Sequence, residues 1–171
     1  MLKPRRVADS VTTMTEFVLP THANALGNVF GGQVLAWIDL CAAICAQRHT
    51  GRTAITAGID DLSFEQPIRV GQVVRLRACM TAAFRSSVEI LVEVEGENAM
   101  TGDVWHCVRA FVTFVAVDDE LKPTAVPQLE LLDERERQLC EDAQQRRAVR
   151  LRRRPLPSQP GVSLEPPSGS R

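Results

Sequence analysis

The segment from residue 31 to 49 restricts the fold more than any other part of the chain. It reads GGQVLAWIDLCAAICAQRH, and after its two glycines it contains no Gly or Pro, which predicts a helix. Gly51 just beyond it, with Arg48 and His49 in the last turn, is typical of a helix end. Because its apolar residues lie almost all the way round, the helix should be buried, and the rest of the chain must cover it.

Strand-like runs surround this helix, at 11–19, 53–65, 71–82, 86–96 and 103–117. The clearest alternation is SVEILVEVEGE, which predicts one face in the core and one in water. The apolar set is Val88, Ile90, Val92 and Val94, and the predicted wet set is Glu89, Glu93 and Glu95. One strand, one long helix and four strands with short connections predict an antiparallel sheet and an α+β class.

A sheet that wraps one helix leaves its edges unpaired, and one helix should not cover the apolar face of the 86–96 strand along its full length. We therefore expect a second copy of the chain to cover the remainder, as a homo-oligomer. Along the 171 residues, the composition predicts an N-terminal arm over 1–10, one domain over 11–129, a charged extension of helical character over 130–154, and a disordered Pro/Ser/Gly-rich tail over 155–171. The extension carries a cluster of arginines between 146 and 154.

Composition and charge exclude several classes of function. A formal net charge of −1 argues against nucleic-acid binding by the whole domain. The N-terminus has no apolar signal segment, and no apolar run is long enough to span a membrane. The cysteines are odd in number and show no CxxC spacing, so we expect reduced core cysteines in a cytoplasmic protein rather than a metal or disulfide role. They are Cys41, Cys45, Cys79, Cys107 and Cys140. We also expect no cofactor.

Asp39 is the sharpest anomaly, because this carboxylate sits inside the apolar stretch WIDLCAAIC. Burying a charge costs several kcal/mol unless it is paired. One interpretation places Asp39 at a solvated edge of the helix or in a structural ion pair. The other makes it a general base shielded from water. The sequence leaves both open.

The loop before the helix is the second candidate. Asn24 and the segment Gly27 to Gly32 form either a tight glycine turn or a place where free backbone N–H groups at a helix N-terminus hold a developing oxyanion. Arg85, Ser86 and Ser87 begin a strand, as a plain turn or as a phosphate contact. The three histidines show no catalytic spacing, and we leave them out of the site.

Four motifs resemble the acyl-CoA hydrolase family of hot-dog thioesterases, which includes the YciA-like and brain-type enzymes. They are NALGNVFGGQVLAWID, ITAGIDDLSFEQPIRVGQVV, FRSSVEILVEV and VRAFVTFVAVDDELKPTAVP, and the similarity runs from about 11 to 129. The resemblance implies a five-stranded antiparallel sheet around one central helix, and hydrolysis of acyl-CoA to free acid and CoA. One departure is Leu26, where some relatives carry a second Asn or a His.

The resemblance also implies roles for the site residues. Asp39 would act as general base or as nucleophile, and Asn24 would position the water or polarise the thioester. The N–H of Gly31 or Gly32 would hold the oxyanion. Coenzyme A, as part of the substrate, would contact Arg85, Ser86 and Ser87. Each site would join Asn24 from one subunit of a dimer and Asp39 from the other. Three such dimers would assemble into a trimer of dimers.

Two rival functions remain at this stage. The first is a hydratase or dehydratase acting on acyl thioesters, which His22 in the loop would favour. The second is a non-catalytic acyl-CoA-binding module in which the arginine-rich stretch 146–154 is the interaction element.

Overall fold

A computed structural model describes residues 2–152, except the side chain of residue 61. Seven strands and two α-helices follow one another along this part of the chain. In order they are β1 Arg5–Arg6, β2 Thr12–Phe17, α1 Gly31–Thr50, β3 Ala54–Phe64, β4 Val73–Ala83, β5 Ser87–Asn98, β6 Asp103–Ala116, β7 Leu129–Glu130 and α2 Glu134–Arg152. The predicted tail, 155–171, and the last two residues of the predicted extension lie outside the described residues.

The main sheet has five antiparallel strands in the order β2-β4-β5-β6-β3. Its inner face wraps α1, which packs against all five strands. The predicted α+β class, with a five-stranded antiparallel sheet around one long helix, is confirmed, and each predicted strand and the helix lie within a few residues of their observed bounds. Gly51 ends α1 in the left-handed conformation, at φ 67°, which a glycine adopts without steric cost.

The predicted wet face of β5 is wrong at Glu89. This side chain has 0 % exposure, because α2 lies against the outer face of the sheet and Arg146 pairs with the carboxylate at 2.8 Å. The alternation along β5 correctly separated two faces, but it carried no information that a distant helix covers the second one. Glu93, also on the outer face, is half-buried beside Arg109.

The expectation that α1 leaves part of the inner face of β5 uncovered is also wrong. Val88, Ile90, Val92 and Val94 are all fully buried within one chain. Exposed apolar surface lies elsewhere, including the outward side of α1 and the edge strand β3. Leu40, Ile55 and Phe64 are about half exposed there.

The N-terminal residues do more than form an arm. β1 pairs in parallel with β7, and Arg5 Nη1 donates hydrogen bonds to the carbonyl oxygens of Arg48 and His49 at 2.6 and 2.8 Å. These are carbonyls of the last turn of α1, which lack partners within the helix. Arg5 therefore fixes the C-terminal end of the central helix.

Candidate active site

Asp39 lies on the side of α1 that faces the edge strand β3, and it is half-buried. Thr56 Oγ1 of β3 donates a hydrogen bond to Asp39 Oδ1 at 2.6 Å. Of the two interpretations of the sequence, the structure of one chain matches the solvated edge, since Asp39 is not shielded from water by its own chain. The hydrogen bond from Thr56 orients the carboxylate and leaves Oδ2 as the oxygen available to another group.

Asn24 is held within its own loop. Its Oδ1 accepts hydrogen bonds from the backbone N–H of Leu26 at 2.9 Å and of Asn28 at 3.2 Å. Because backbone N–H groups are donors, these contacts fix which end of the amide is the oxygen. The group that Asn24 has left to offer a ligand is therefore its NH₂, which donates hydrogen bonds.

The start of α1 offers backbone donors. Phe30 is the N-cap residue, and no side chain caps the helix there. A Cβ on Gly31 would lie 3.3 Å from the Phe64 ring, so this ring packs closely against the first turn, whereas no atom lies within 4 Å of a Cβ on Gly32. A largely apolar cavity of about 330 Å³ adjoins Gly31 and is lined by Val29, Val34 and Phe64, among others. Its size falls within the range of small-molecule sites.

Arg85, Ser86 and Ser87 form the β4–β5 hairpin turn, at the opposite end of the chain's sheet from the start of α1. Ser87 pairs with Val115, and Val115 also pairs with Ile55 near the start of β3. The glycine end of α1 packs instead against Phe64, at the end of β3. A helix as long as α1 spans about 30 Å. One chain therefore does not bring the hairpin turn to the helix N-terminus.

The histidines are held in structural contacts. The rings of His22 and Trp37 pack edge to face at 5.2 Å, and His22 Nδ1 accepts a hydrogen bond from the Leu19 N–H. His49 is fully buried, and burial lowers its pKa. His106 lies 3.8 Å from Glu65. Among residues 2–152, none of the three forms a hydrogen bond or ion pair with Asp39.

All five cysteines are free, and four are buried. Burial raises the pKa of Cys41 and Cys107 to about 11 and that of Cys45 to about 12, so these thiols stay protonated and unreactive near neutral pH. Within residues 2–152, no group of His, Cys, Asp and Glu is arranged to hold a metal ion. The absence of a cofactor stays a prediction. Neither helix of the described chain combines the length and apolar character of a membrane span.

Comparison with known proteins assigns the family. The model of the thioesterase superfamily matches residues 26–102. The acyl-CoA thioester hydrolase YkhA of Bacillus subtilis is 36% identical over 146 residues, which cover 85% of this chain and 85% of YkhA. The chain belongs to the hot-dog thioesterase family. The resemblance predicted from the four motifs is thereby confirmed.

Solved structures of this family agree in fold. An apo-hexameric acyl-CoA thioesterase superposes with a TM-score of 0.83 at 38% identity, covering 90% of this chain and 100% of the other. The acyl-CoA hydrolase of Staphylococcus aureus, in complex with butyryl-CoA and CoA, superposes with a TM-score of 0.80 at 31% identity, covering 86% and 90%.

Some thioesterase relatives are much longer. Mouse acyl-coenzyme A thioesterase 11 is 39% identical over 138 residues, which are 81% of this chain but 23% of that protein. The chain thus spans about a quarter of the length of the first mammalian relatives it matches.

Sequence reasoning missed Thr56 as a partner of Asp39. Thr56 lies in the run ITAGIDDLSF, where a threonine is an ordinary strand residue. Only the packing of β3 against α1 distinguishes this hydroxyl from those of the other threonines. Its place within a motif shared with the thioesterases was the one signal that could have drawn attention to it.

Proposed function

We propose that this chain hydrolyses acyl-CoA thioesters to a free acid and CoA, with Asp39 as the catalytic carboxylate. The observation that carries the proposal is the hydrogen bond between Asp39 and Thr56 on the flank of an uncapped glycine-started helix. A carboxylate held at one oxygen suits attack on a carbonyl carbon. The free N–H groups at the start of α1 lie about 12 Å along the same helix from Asp39, so the oxyanion donors for this carboxylate would come from another copy of the chain.

The Staphylococcus aureus relative supports roles for Asn24, Asp39 and Thr56. Its structures include alanine variants of one asparagine, one aspartate and one threonine, and the asparagine variant is in complex with CoA. The three positions have the same spacing along that chain as Asn24, Asp39 and Thr56 have in this one. The two chains therefore match in residue type, in order and in spacing, across both the loop before α1 and the connection from α1 to β3. A match on all three counts is specific.

These groups allow two routes for hydrolysis of the thioester. With Oδ1 held by Thr56, Asp39 Oδ2 takes a proton from water, and the hydroxide adds to the thioester carbonyl carbon. Alternatively, Oδ2 attacks that carbon itself and water resolves the anhydride. In both routes the N–H of Gly31 or Gly32 and the NH₂ of Asn24, all from a neighbouring copy of the chain, donate to the oxyanion. In the first route the C–S bond breaks as the tetrahedral intermediate collapses, and the departing CoA thiolate takes up the proton held by Asp39. In the second route the C–S bond breaks as the anhydride forms, CoA leaves as the thiolate and is protonated by solvent, and water then hydrolyses the anhydride.

The same proposal includes assembly. Asn24 and Asp39 share no hydrogen bond among the described residues, and the Arg85–Ser87 turn lies at the other end of the sheet from the start of α1. A site that uses all of them therefore needs more than one copy of the chain. We propose a dimer, further assembled as a trimer of dimers, in which Arg85, Ser86 and Ser87 contact the phosphates of CoA bound at a neighbouring copy's site. Hexameric relatives support this assembly. The cytoplasm stays the predicted location.

Release of free thiol from acyl-CoA tests the function. The wild-type chain should release thiol from short, medium and long acyl-CoAs at differing rates. Asp39→Asn should keep the fold and lower kcat by about 10² to 10⁴, the usual contribution of a general base. A matched control is Asp103→Asn, an exposed carboxylate on β6, which should leave kcat unchanged.

Other outcomes would replace the proposal. Hydration of enoyl-CoA without thiol release would identify a hydratase, and acyl-CoA binding without turnover would identify a binding module. An Asp39→Asn variant with kcat within a fewfold of wild type would remove Asp39 from the mechanism.

A further inference from the structure

We propose that Arg150 of α2 is a positioning residue for the candidate active site: by pairing with Asp60, it holds the edge strand β3 in the conformation that sets Thr56 against Asp39. The inference rests on the proposed function for its catalytic readout. It gives α2 and the arginine-rich stretch a role that neither a solvated tail nor an interaction element explains.

The first step is the anchoring of α2 on the sheet, which does not involve β3. Arg146 donates from Nη2 and Nε to Glu89 Oε1 at 2.8 and 3.2 Å, and its guanidinium lies 3.6 Å from the centroid of the Phe111 ring. Thr81 Oγ1 donates to the same oxygen at 2.9 Å. Because Glu89 is fully buried, this charge-assisted contact fixes the helix at one point on the sheet.

The second step is the contact from this anchored helix to β3. Arg150 lies one turn after Arg146 and on the same face of α2. Its Nη1 pairs with Asp60 Oδ2 and also lies 4.0 Å from Glu89 Oε2. The side chains of Arg150 and Asp60 are only 26% and 22% exposed. A part-buried ion pair of this kind is costly to break from one side, because it leaves the other charge poorly solvated.

The third step is a bulge in β3 that connects Asp60 to Thr56. Thr56 pairs with Phe114 and Gly58 pairs with Thr113, the neighbour of Phe114 on the antiparallel strand β6. Ala57 therefore has no partner of its own and is an extra residue in β3. This bulge places Thr56 on the inner face, towards α1, and Asp60 on the outer face, opposite Phe111 and towards α2. Bulges re-aim side chains in this way next to active sites.

β3 is an edge strand, and among residues 2–152 only β6 pairs with it. The contact with Arg150 adds a restraint on the outer face of β3 that its backbone pairing does not supply. Loss of that restraint would let the bulge shift and loosen the hydrogen bond from Thr56 to Asp39. Small displacements of a catalytic group lower kcat without weakening substrate binding.

The test compares Arg150→Gln with Arg147→Gln in the thiol-release assay. Arg147 is the matched control, because its guanidinium also anchors α2, 4.6 Å from the Phe84 ring centroid, but does not contact β3. Arg150→Gln should lower kcat about tenfold with KM within about twofold of wild type. Arg147→Gln should leave kcat unchanged. Equal kcat values in the two variants would overturn the proposal.

A conservative variant and a double-mutant cycle separate positioning from general destabilisation. Arg150→Lys keeps the charge beside Asp60 and should recover most of the lost kcat. If Arg150 acts through Thr56, adding Arg150→Gln to Thr56→Val should lower kcat no further than Thr56→Val alone. Independent, multiplying effects of the two substitutions would contradict the coupling.

Failure of the proposed function would be seen separately, as a wild-type chain that releases no thiol. The coupling is then measured by amide hydrogen exchange over β3. Exchange at residues 56–58 should be faster in Arg150→Gln than in Arg147→Gln. Equal exchange in the two variants would overturn the inference whatever the reaction is.

Discussion

Two residues illustrate that the role of a side chain depends on the groups it contacts in the fold. Asp39 in an apolar helix suggests burial, yet its own chain leaves it half-buried and hydrogen-bonded to Thr56. The carboxylate is oriented rather than hidden. Exclusion of water from it would have to come from substrate or from another copy of the chain.

Thr56→Val tests this orientation. Valine keeps the shape of threonine and removes the hydroxyl, so Asp39 loses the donor that fixes its Oδ1. We expect kcat to fall by about 10- to 100-fold, with KM little changed, since misplacement of a catalytic group acts on the transition state. Steady-state thiol release measures both. Thr56→Ser keeps the hydroxyl and should retain most activity; a serine variant as slow as the valine variant would contradict the role.

His49 is a second residue whose role is structural and pH-dependent. It is fully buried, its Nε2 lies 2.9 Å from the Pro127 carbonyl oxygen, and its Nδ1 has no hydrogen-bond partner among the described residues. Because a carbonyl oxygen is an acceptor, Nε2 carries a proton and donates a hydrogen bond to Pro127. Burial, reinforced by the nearby Arg5 charge, lowers the pKa of His49 below its usual value of 6.5.

The sign of the pH dependence follows from linkage. Above pH 6.5 the ring is neutral in both folded and unfolded chains, and the full stability is present. As the pH falls towards the lower folded-state pKa, the unfolded chain binds a proton that the folded chain does not. The free energy of unfolding should therefore fall, by up to about 1.4 kcal/mol per pH unit. Urea unfolding at several pH values, with His49→Gln as comparison, measures this. An equal slope in both proteins would exclude His49.

At the scale of elements, the sequence predicted the inner layer well and the outer layer poorly. The strands were visible from their β-branched residues and alternation. The helix 31–49 was visible from its long run without Gly or Pro and from the residues typical of a helix end that follow it. The position of α2 was not visible, since its contacts to the sheet are made by arginines, which sequence patterns assign to solvent. Glu89 is an example. The alternation along β5 predicts an exposed side chain, and only the ion pair with Arg146, far along the chain, makes its burial possible.

The candidate site divides in the same way. Asp39, Asn24 and the glycines were predicted because they depart from the local pattern or match a family motif. Thr56 and Arg150 were missed because each looks ordinary in its own element. Their interest comes from packing between β3 and the two helices, which local sequence does not encode.

The β4–β5 hairpin turn makes a prediction at the element scale. Arg85 is exposed, and its carbonyl accepts the Val126 N–H at 3.1 Å, so truncating its side chain leaves the turn intact. If it contacts CoA phosphate, Arg85→Ala should raise KM for acyl-CoA by about three- to tenfold and leave kcat nearly unchanged, because such contacts act equally on ground and transition states. Arg137→Ala, at an exposed arginine of α2, is the control. A short pantetheine thioester should be hydrolysed equally by both variants.

For the whole molecule, the unprotected surface decides the assembly. The main sheet ends in two edge strands, and β3 carries half-exposed Ile55 and Phe64 beside the half-exposed Leu40 of α1. An edge strand flanked by apolar side chains is a place where another copy pairs or packs. Asp39 and Thr56 lie beside this surface. A second copy that covered it would therefore also enclose the carboxylate.

Mixing two inactive variants tests whether the site is shared. Asn24→Ala lacks the amide donor and Asp39→Asn lacks the carboxylate, so each homo-oligomer should be nearly inactive. If each site takes one residue from each copy, a mixed dimer contains one intact site and one doubly altered site, and should regain about half the wild-type activity. Random 1:1 co-refolding should then recover about a quarter of the wild-type activity.

Sedimentation should show a species several times the 18.9 kDa chain. A monomer would contradict the assembly. Verified mixed dimers without activity would instead place both residues in the site of one copy, and the enclosure of Asp39 would then have to come from substrate alone.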